Sequence, residues 1–113
     1  GLMKDLKQST KQRFGAIDFG YPPLEVEVEV VAHESGVDAA TAEKLVQVAQ
    51  RARNLKGHGL DEGVSTRLLV YAGSLIARGI EARAACSMTL VRPLTDDPDL
   101  RETLEAAVAT FFG

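Results

Sequence analysis

Gly63-Val64-Ser65-Thr66-Arg67-Leu68-Leu69-Val70-Tyr71-Ala72-Gly73-Ser74-Leu75-Ile76-Ala77-Arg78-Gly79 is the stretch on which the fold turns. Leu68, Leu69, Ala72, Leu75 and Ile76 recur at helical spacing and define one buried face. Ser65 is placed to cap the helix, because its hydroxyl can accept from an orphan amide of the first turn. Gly79 suits the stop, since glycine tolerates the left-handed terminal position. Arg67 runs against the pattern: a cation in the first turn faces the positive end of the helix dipole, at a cost of a few tenths of a kcal/mol. The placement turns favourable when an anion docks there, because amides and guanidinium then converge on the same charge. On spacing alone the alternative stands beside it, an arginine in solvent or paired with Asp61 or Glu62.

Outward from this helix the chain reads as a series of short amphipathic helices. Upstream, Asp38 caps a segment whose Ala42, Leu45, Val46, Ala49, Ala52 and Leu55 line one face, with Gly57 after its last turn. Gly57-His58-Gly59-Leu60-Asp61-Glu62-Gly63 is a glycine-rich loop leading to Arg67. Between Leu24 and Ser35 two rules conflict. Glu25-Val26-Glu27-Val28-Glu29-Val30 alternates with the period of a strand. Yet Pro23 suits a first helical position, Glu25 and Glu27 suit an N-terminal turn, Gly36 suits the stop, and Leu24, Val28 and Val31 fall at i, i+4, i+7. The ends outweigh the alternation, and a helix is expected. Downstream, an alanine-rich helix is expected from about Ile80 to Val91, ending before Pro93. Asp97-Pro98 opens a last helix with Leu100, Leu104, Ala107, Val108 and Phe111 in register. The fold class is mainly α, a small helical bundle. It is preceded by Gly15-Ala16-Ile17-Asp18-Phe19, a short strand-like piece before the Tyr21-Pro22-Pro23 corner, whose sheet partners are missing from the chain.

At 113 residues the chain is one small domain or a piece of a larger protein. Only 5% of it is aromatic and it has no Trp, so its core must be aliphatic. The lone Cys86 excludes an internal disulfide and points to the reducing cytosol, hence a cytoplasmic location. No apolar run approaches the roughly 20 residues of a membrane span. The net charge of −3 hides an asymmetry. Residues 1–14 carry Lys4, Lys7, Lys11 and Arg13 against Asp5, leaving nine basic and fifteen acidic side chains in the other 99 residues. So acidic a body argues against nucleic-acid binding, including a helix-turn-helix reading.

The chemical motifs are sparse. No phosphate-cradling Gly-rich loop, dinucleotide fingerprint or His-Glu-x-x-His is present. His33 and His58 lack partners at ligand spacing, so no metal site is expected; His33 reads as a helix-surface residue and His58 as a loop residue. Cys86 has no base beside it and reads as a small buried hydrophobe. Glu25, Glu27 and Glu29 mimic a carboxylate site but read as a solvated face, and Asp96-Asp97-Pro98-Asp99 reads as helix capping. The chain alone holds no complete active site.

Several segments in fixed order carry a family resemblance: Lys4-Asp5-Leu6-Lys7, Ser9-Thr10-Lys11-Gln12-Arg13-Phe14, Tyr21-Pro22-Pro23, His33-Glu34-Ser35-Gly36, Gly57-His58-Gly59-Leu60, Gly63-Val64-Ser65-Thr66-Arg67 and Val91-Arg92-Pro93-Leu94-Thr95-Asp96-Asp97. Together they resemble the C-terminal part of the CbbQ/NirQ/NorQ ATPases, MoxR-type members of the AAA+ class, with the gas-vesicle protein GvpN a more distant relative. The resemblance implies that residues 1–20 are the end of an α/β nucleotide-binding core, including its last strand, and residues 21–113 its helical lid. It implies that Arg67 is the sensor-2 arginine over the nucleotide phosphates, and that Arg13 is the arginine finger reaching a neighbouring subunit's nucleotide. The P-loop, Walker B acid and sensor-1 residue would lie upstream of Gly1. The cofactors implied are ATP and Mg²⁺. The partners implied are neighbouring subunits of a homo-oligomeric ring, expected to be a hexamer, a von Willebrand factor A-domain adaptor, and a client metalloenzyme or Rubisco. The competing reading is a free-standing helical interaction module that never touches nucleotide.

Overall fold

The computed structural model describes residues 21–55 and 63–113. Arg13, the strand-like piece before Tyr21, and residues 56–62 of the glycine-rich loop, His58 included, lie outside the described residues. Within them run five α-helices: α1 (Leu24–Ser35), α2 (Ala39–Arg53), α3 (Thr66–Ala77), α4 (Ala82–Cys86) and α5 (Pro98–Phe112). A π-helical turn, Ser87–Val91, extends α4. No strand occurs among the described residues, and the architecture is the expected helical bundle.

Local chemistry places the helix ends. Asp38 accepts from the Thr41 amide at 2.8 Å, Ser65 from the Leu68 amide at 3.2 Å, and Asp97 from the Asp99 amide at 2.8 Å. Each satisfies a donor that the first turn leaves orphaned. Gly36 and Gly79 take left-handed φ values of 92° and 104°. At Gly79 the amide reaches the Ile76 carbonyl and the following Ile80 amide reaches Leu75, the paired closure that lets the chain reverse. The conflict over residues 24–35 resolves as helix. Pro23, expected at the first helical position, caps α1 from just outside it, at ψ 154°. The helix expected from Ile80 begins instead at Ala82. Its second half widens so that the Arg92 amide bonds Ser87, five residues back, at 3.0 Å.

The core is aliphatic: Val31, Leu45, Val46, Ala49, Leu69, Leu90, Leu104 and Val108 are all nearly or wholly buried. Burial of each large side chain stabilises the bundle by about 1.5–3 kcal/mol before entropy is counted. Helix α1 lies across α2 and α3, α5 packs on α2, and the π-helical turn packs on α3. Helix α1 comes close to α3 at Gly73, buried mid-helix in α3. A Cβ there would sit 2.7 Å from the Ser35 Cβ, so α1 and α3 meet at a distance only glycine allows. This approach brings the N-terminal half of α1 alongside the start of α3, where Arg67 stands.

Candidate functional site

Arg67 is the second residue of α3, and its side chain is exposed. Ser65 satisfies the Leu68 amide, and Leu68 and Leu69 also bond the Ser65 carbonyl. The amides of Thr66 and Arg67 find no acceptor among the described residues, and neither does the guanidinium. The site therefore presents a helix N-terminus and a permanent cation together, an arrangement suited to a phosphate or carboxylate. Tyr71, one turn further along α3, is 57% exposed. Asp61 and Glu62, the alternative partners of Arg67, are outside the described residues, as is Arg13.

Directly beneath the start of α3 is a polar cluster that sequence reasoning missed. Glu27, expected on a solvated face, is only 1% exposed. Its carboxylate accepts two bonds from the Arg53 guanidinium, Nη1 to Oε1 at 2.8 Å and Nη2 to Oε2 at 2.6 Å. The Thr66 hydroxyl donates to the same Oε2 at 2.9 Å. The Arg53 Nε donates to the Val64 carbonyl at 2.8 Å, and the Tyr21 ring covers the guanidinium at 3.8 Å. A Cβ on Gly63 would collide with the Tyr21 hydroxyl, so this glycine leaves room for the ring. Burial forced the correction: a lone carboxylate is far too costly in an aliphatic interior, but a forked, fully bonded pair is tolerated. The helical reading contained the signal. Glu27 stands three residues after Leu24 and four before Val31, on the buried stripe of α1. Arg53 gave no comparable signal, because an arginine in a last helical turn is already explained by the helix dipole.

The remaining candidates are structural. His33 is exposed on the last turn of α1, and Glu25 and Glu29 are solvent-facing. Among the described residues, no group of three or more His, Cys, Asp or Glu side chains is arranged to hold a metal ion. No described helix is long and apolar enough to cross a membrane. Cys86 is fully buried, and burial first, then the Glu105 carboxylate, pushes its thiol up to about 12. It is thus a neutral packing residue across the physiological range. Iodoacetamide is expected to leave Cys86 unmodified in the folded protein and to label it readily in denaturant. Because the folded value is raised, its contribution to stability is complete below the ordinary thiol range, near 8.5. It is then lost as pH rises toward about 12. Cys86→Ala should flatten that alkaline limb in denaturant titrations, and an unchanged limb would refute the assignment.

The family profile described as CbbQ/NirQ/NorQ C-terminal matches residues 27–111, from the buried Glu27 into the last turn of α5. Protein CbbQ of Hydrogenophilus thermoluteolus is 72% identical over 110 residues, covering 97% of this chain and 41% of that protein. Protein NorQ of Paracoccus denitrificans is 46% identical over 112 residues, covering 99% of this chain and 42% of the relative. The denitrification regulatory protein NirQ of Stutzerimonas stutzeri is 44% identical over 112 residues, covering 99% of this chain and 41% of the relative. The chain spans about two fifths of the length of these curated relatives. With a profile match over most of its length and identities this high, the chain belongs to the CbbQ/NirQ/NorQ C-terminal family.

Proposed function

We propose that residues 21–113 form the helical lid, and residues 1–20 the end of the nucleotide-binding core, of a MoxR-type AAA+ ATPase of the CbbQ/NorQ kind. In this reading ATP binding and hydrolysis drive the remodelling or activation of a client enzyme such as Rubisco or nitric oxide reductase. The observation that carries it is Arg67: a cation exposed on the first turn of α3, beside two amides with no acceptor among the described residues, in a chain of this family. As sensor-2 arginine it would lie over the nucleotide phosphates. Arg is suited to this because phosphoryl transfer is catalysed mainly by positioning and by fixed cations. Mg²⁺ is expected with the nucleotide, and no residue of the described bundle is assigned to hold it. Arg13 is proposed as the finger that completes a neighbour's site in a homo-oligomeric ring, with a von Willebrand factor A-domain protein as adaptor to the client. A compact bundle moving as one body would couple nucleotide state to ring shape.

The test is Arg67→Ala in the full-length protein. Fold should be retained, because the side chain is exposed and its removal takes a cation away from the positive end of α3. ATP affinity, followed by titration with a fluorescent nucleotide, should fall. An unaltered affinity would favour the competing reading, a helical interaction module without nucleotide. A lost melting transition with affinity unchanged would make Arg67 structural.

A further inference from the structure

We infer that Glu27, Arg53 and Thr66 are positioning residues for Arg67: their buried polar clamp fixes the start of α3 and so sets where the arginine is presented. The inference rests on the proposed role of Arg67 and adds to it the device that aims the side chain. Apolar contacts hold α3 along its length through Leu69, Ala72 and Gly73, all buried, but such contacts are non-directional and tolerate small shifts along the axis. The first turn is held differently. Arg53, from the end of α2, bonds the Val64 carbonyl just before the cap at 2.8 Å. Glu27, from α1, accepts from the Thr66 hydroxyl just after the cap at 2.9 Å. The same Glu27 and Arg53 are joined to each other by two bonds of 2.8 and 2.6 Å. The turn is thus gripped on both sides of Ser65, one residue short of Arg67, by groups whose geometry is fixed in distance and angle. Tyr21 closes the open side of the guanidinium.

A hydrophobic replacement of comparable volume could serve stability as well as this pair does, so its stability value alone does not account for the bonds to Val64 and Thr66. Those bonds add direction. Thr66 is the residue at which the clamp acts on the helix without being part of the ion pair, which makes it the clean probe.

The experiment is a double-mutant cycle in the full-length protein, with fluorescent ATP affinity as readout and melting temperature as control. Thr66→Val keeps the shape, the fold and the Glu27–Arg53 pair while deleting the hydroxyl. It is expected to weaken ATP binding by roughly 3–10-fold, the size of effect that a single intramolecular hydrogen bond typically carries. Thr66→Ser, which restores the hydroxyl, is expected to rescue that loss. In an Arg67→Ala background Thr66→Val should have no further effect, because a residue acting through Arg67 has nothing left to position. The apolar double replacement Glu27→Leu with Arg53→Met tests the same point by a second route: fold retained, ATP affinity lowered, and no further loss in the Arg67→Ala background. Equal losses with and without Arg67 would overturn the inference, as would full affinity in Thr66→Val and in the double replacement while Arg67→Ala binds weakly. Full affinity in Arg67→Ala itself would remove the proposed function and this inference together, and is read from that single variant.

Discussion

Replacing Glu27 by alanine is expected to destabilise the bundle by about 3–5 kcal/mol, because it leaves Arg53 as an uncompensated charge at the edge of the core. Arg53 is 9% exposed in its side chain and Glu27 1%, so water can replace the lost carboxylate only poorly. Total stabilities of small domains are typically about 5–15 kcal/mol, so the loss is a large share of what holds the fold. Glu27→Gln should also be damaging: it preserves shape but removes the charge that Arg53 and Thr66 address. The apolar double replacement of Glu27 and Arg53 should recover most of the stability, since it removes both desolvation costs at once. Urea denaturation of the three variants measures all of this. A loss below about 1 kcal/mol for Glu27→Ala would mean that the pair behaves like an exposed one. The Arg101–Asp96 contact, at 3.4 Å between two solvent-exposed side chains, is the internal comparison and should contribute little.

Arg13→Ala is expected to nearly abolish ATP turnover in the full-length protein while sparing ATP binding. On the proposed reading, the Arg13 guanidinium neutralises charge on a neighbouring subunit's γ-phosphate and adds little to its own subunit's pocket. Fingers of this kind in other nucleotide hydrolases are worth about 10³–10⁵ in rate. The contrasting role, a surface pair with an acid such as Asp18, predicts about 1 kcal/mol of stability and little change in catalysis. Mixing separates the two. Subunits lacking Arg13 should regain part of their activity when co-assembled with subunits that keep Arg13 but lack their own P-loop lysine. Each parent ring is inactive, yet a mixed interface pairs an intact pocket with an intact finger. Confirmed co-assembly without activity would falsify action across the interface.

What could be read without coordinates was whatever is encoded locally. The caps at Asp38, Ser65 and Asp97 and the left-handed glycines at 36 and 79 act within one helical turn, so the residues that terminate each helix are written beside it. The aliphatic stripes of α2 and α5 were legible for the same reason: a helical period leaves no second face for Leu45, Val46, Leu104 or Val108. Even the ambiguous Glu-Val alternation yielded to its ends, because alternation alone cannot outweigh a stop at Gly36 and an acidic first turn. The place of Arg67 on that first turn also followed from the cap at Ser65.

The clamp did not follow. Glu27 and Arg53 are 26 residues apart, and Glu27 and Thr66 are 39 apart. Pairing across such separations is decided by how three helices cross, which no single helical period encodes. Taken alone, a glutamate in a first turn and an arginine in a last turn each have a sufficient local explanation in the helix dipole, and that explanation points both toward solvent. Only the close crossing of α1 and α3, permitted by Gly73 against Ser35, brings the carboxylate under Thr66 and away from water. The sequence by itself determined the helices and the caps at Asp38, Ser65, Asp97, Gly36 and Gly79, whereas α2 stops at Arg53, short of the expected Gly57. The tertiary structure decided that Glu27 is buried, because a charge enters an aliphatic interior only where a forked partner from another helix is already in place to meet it.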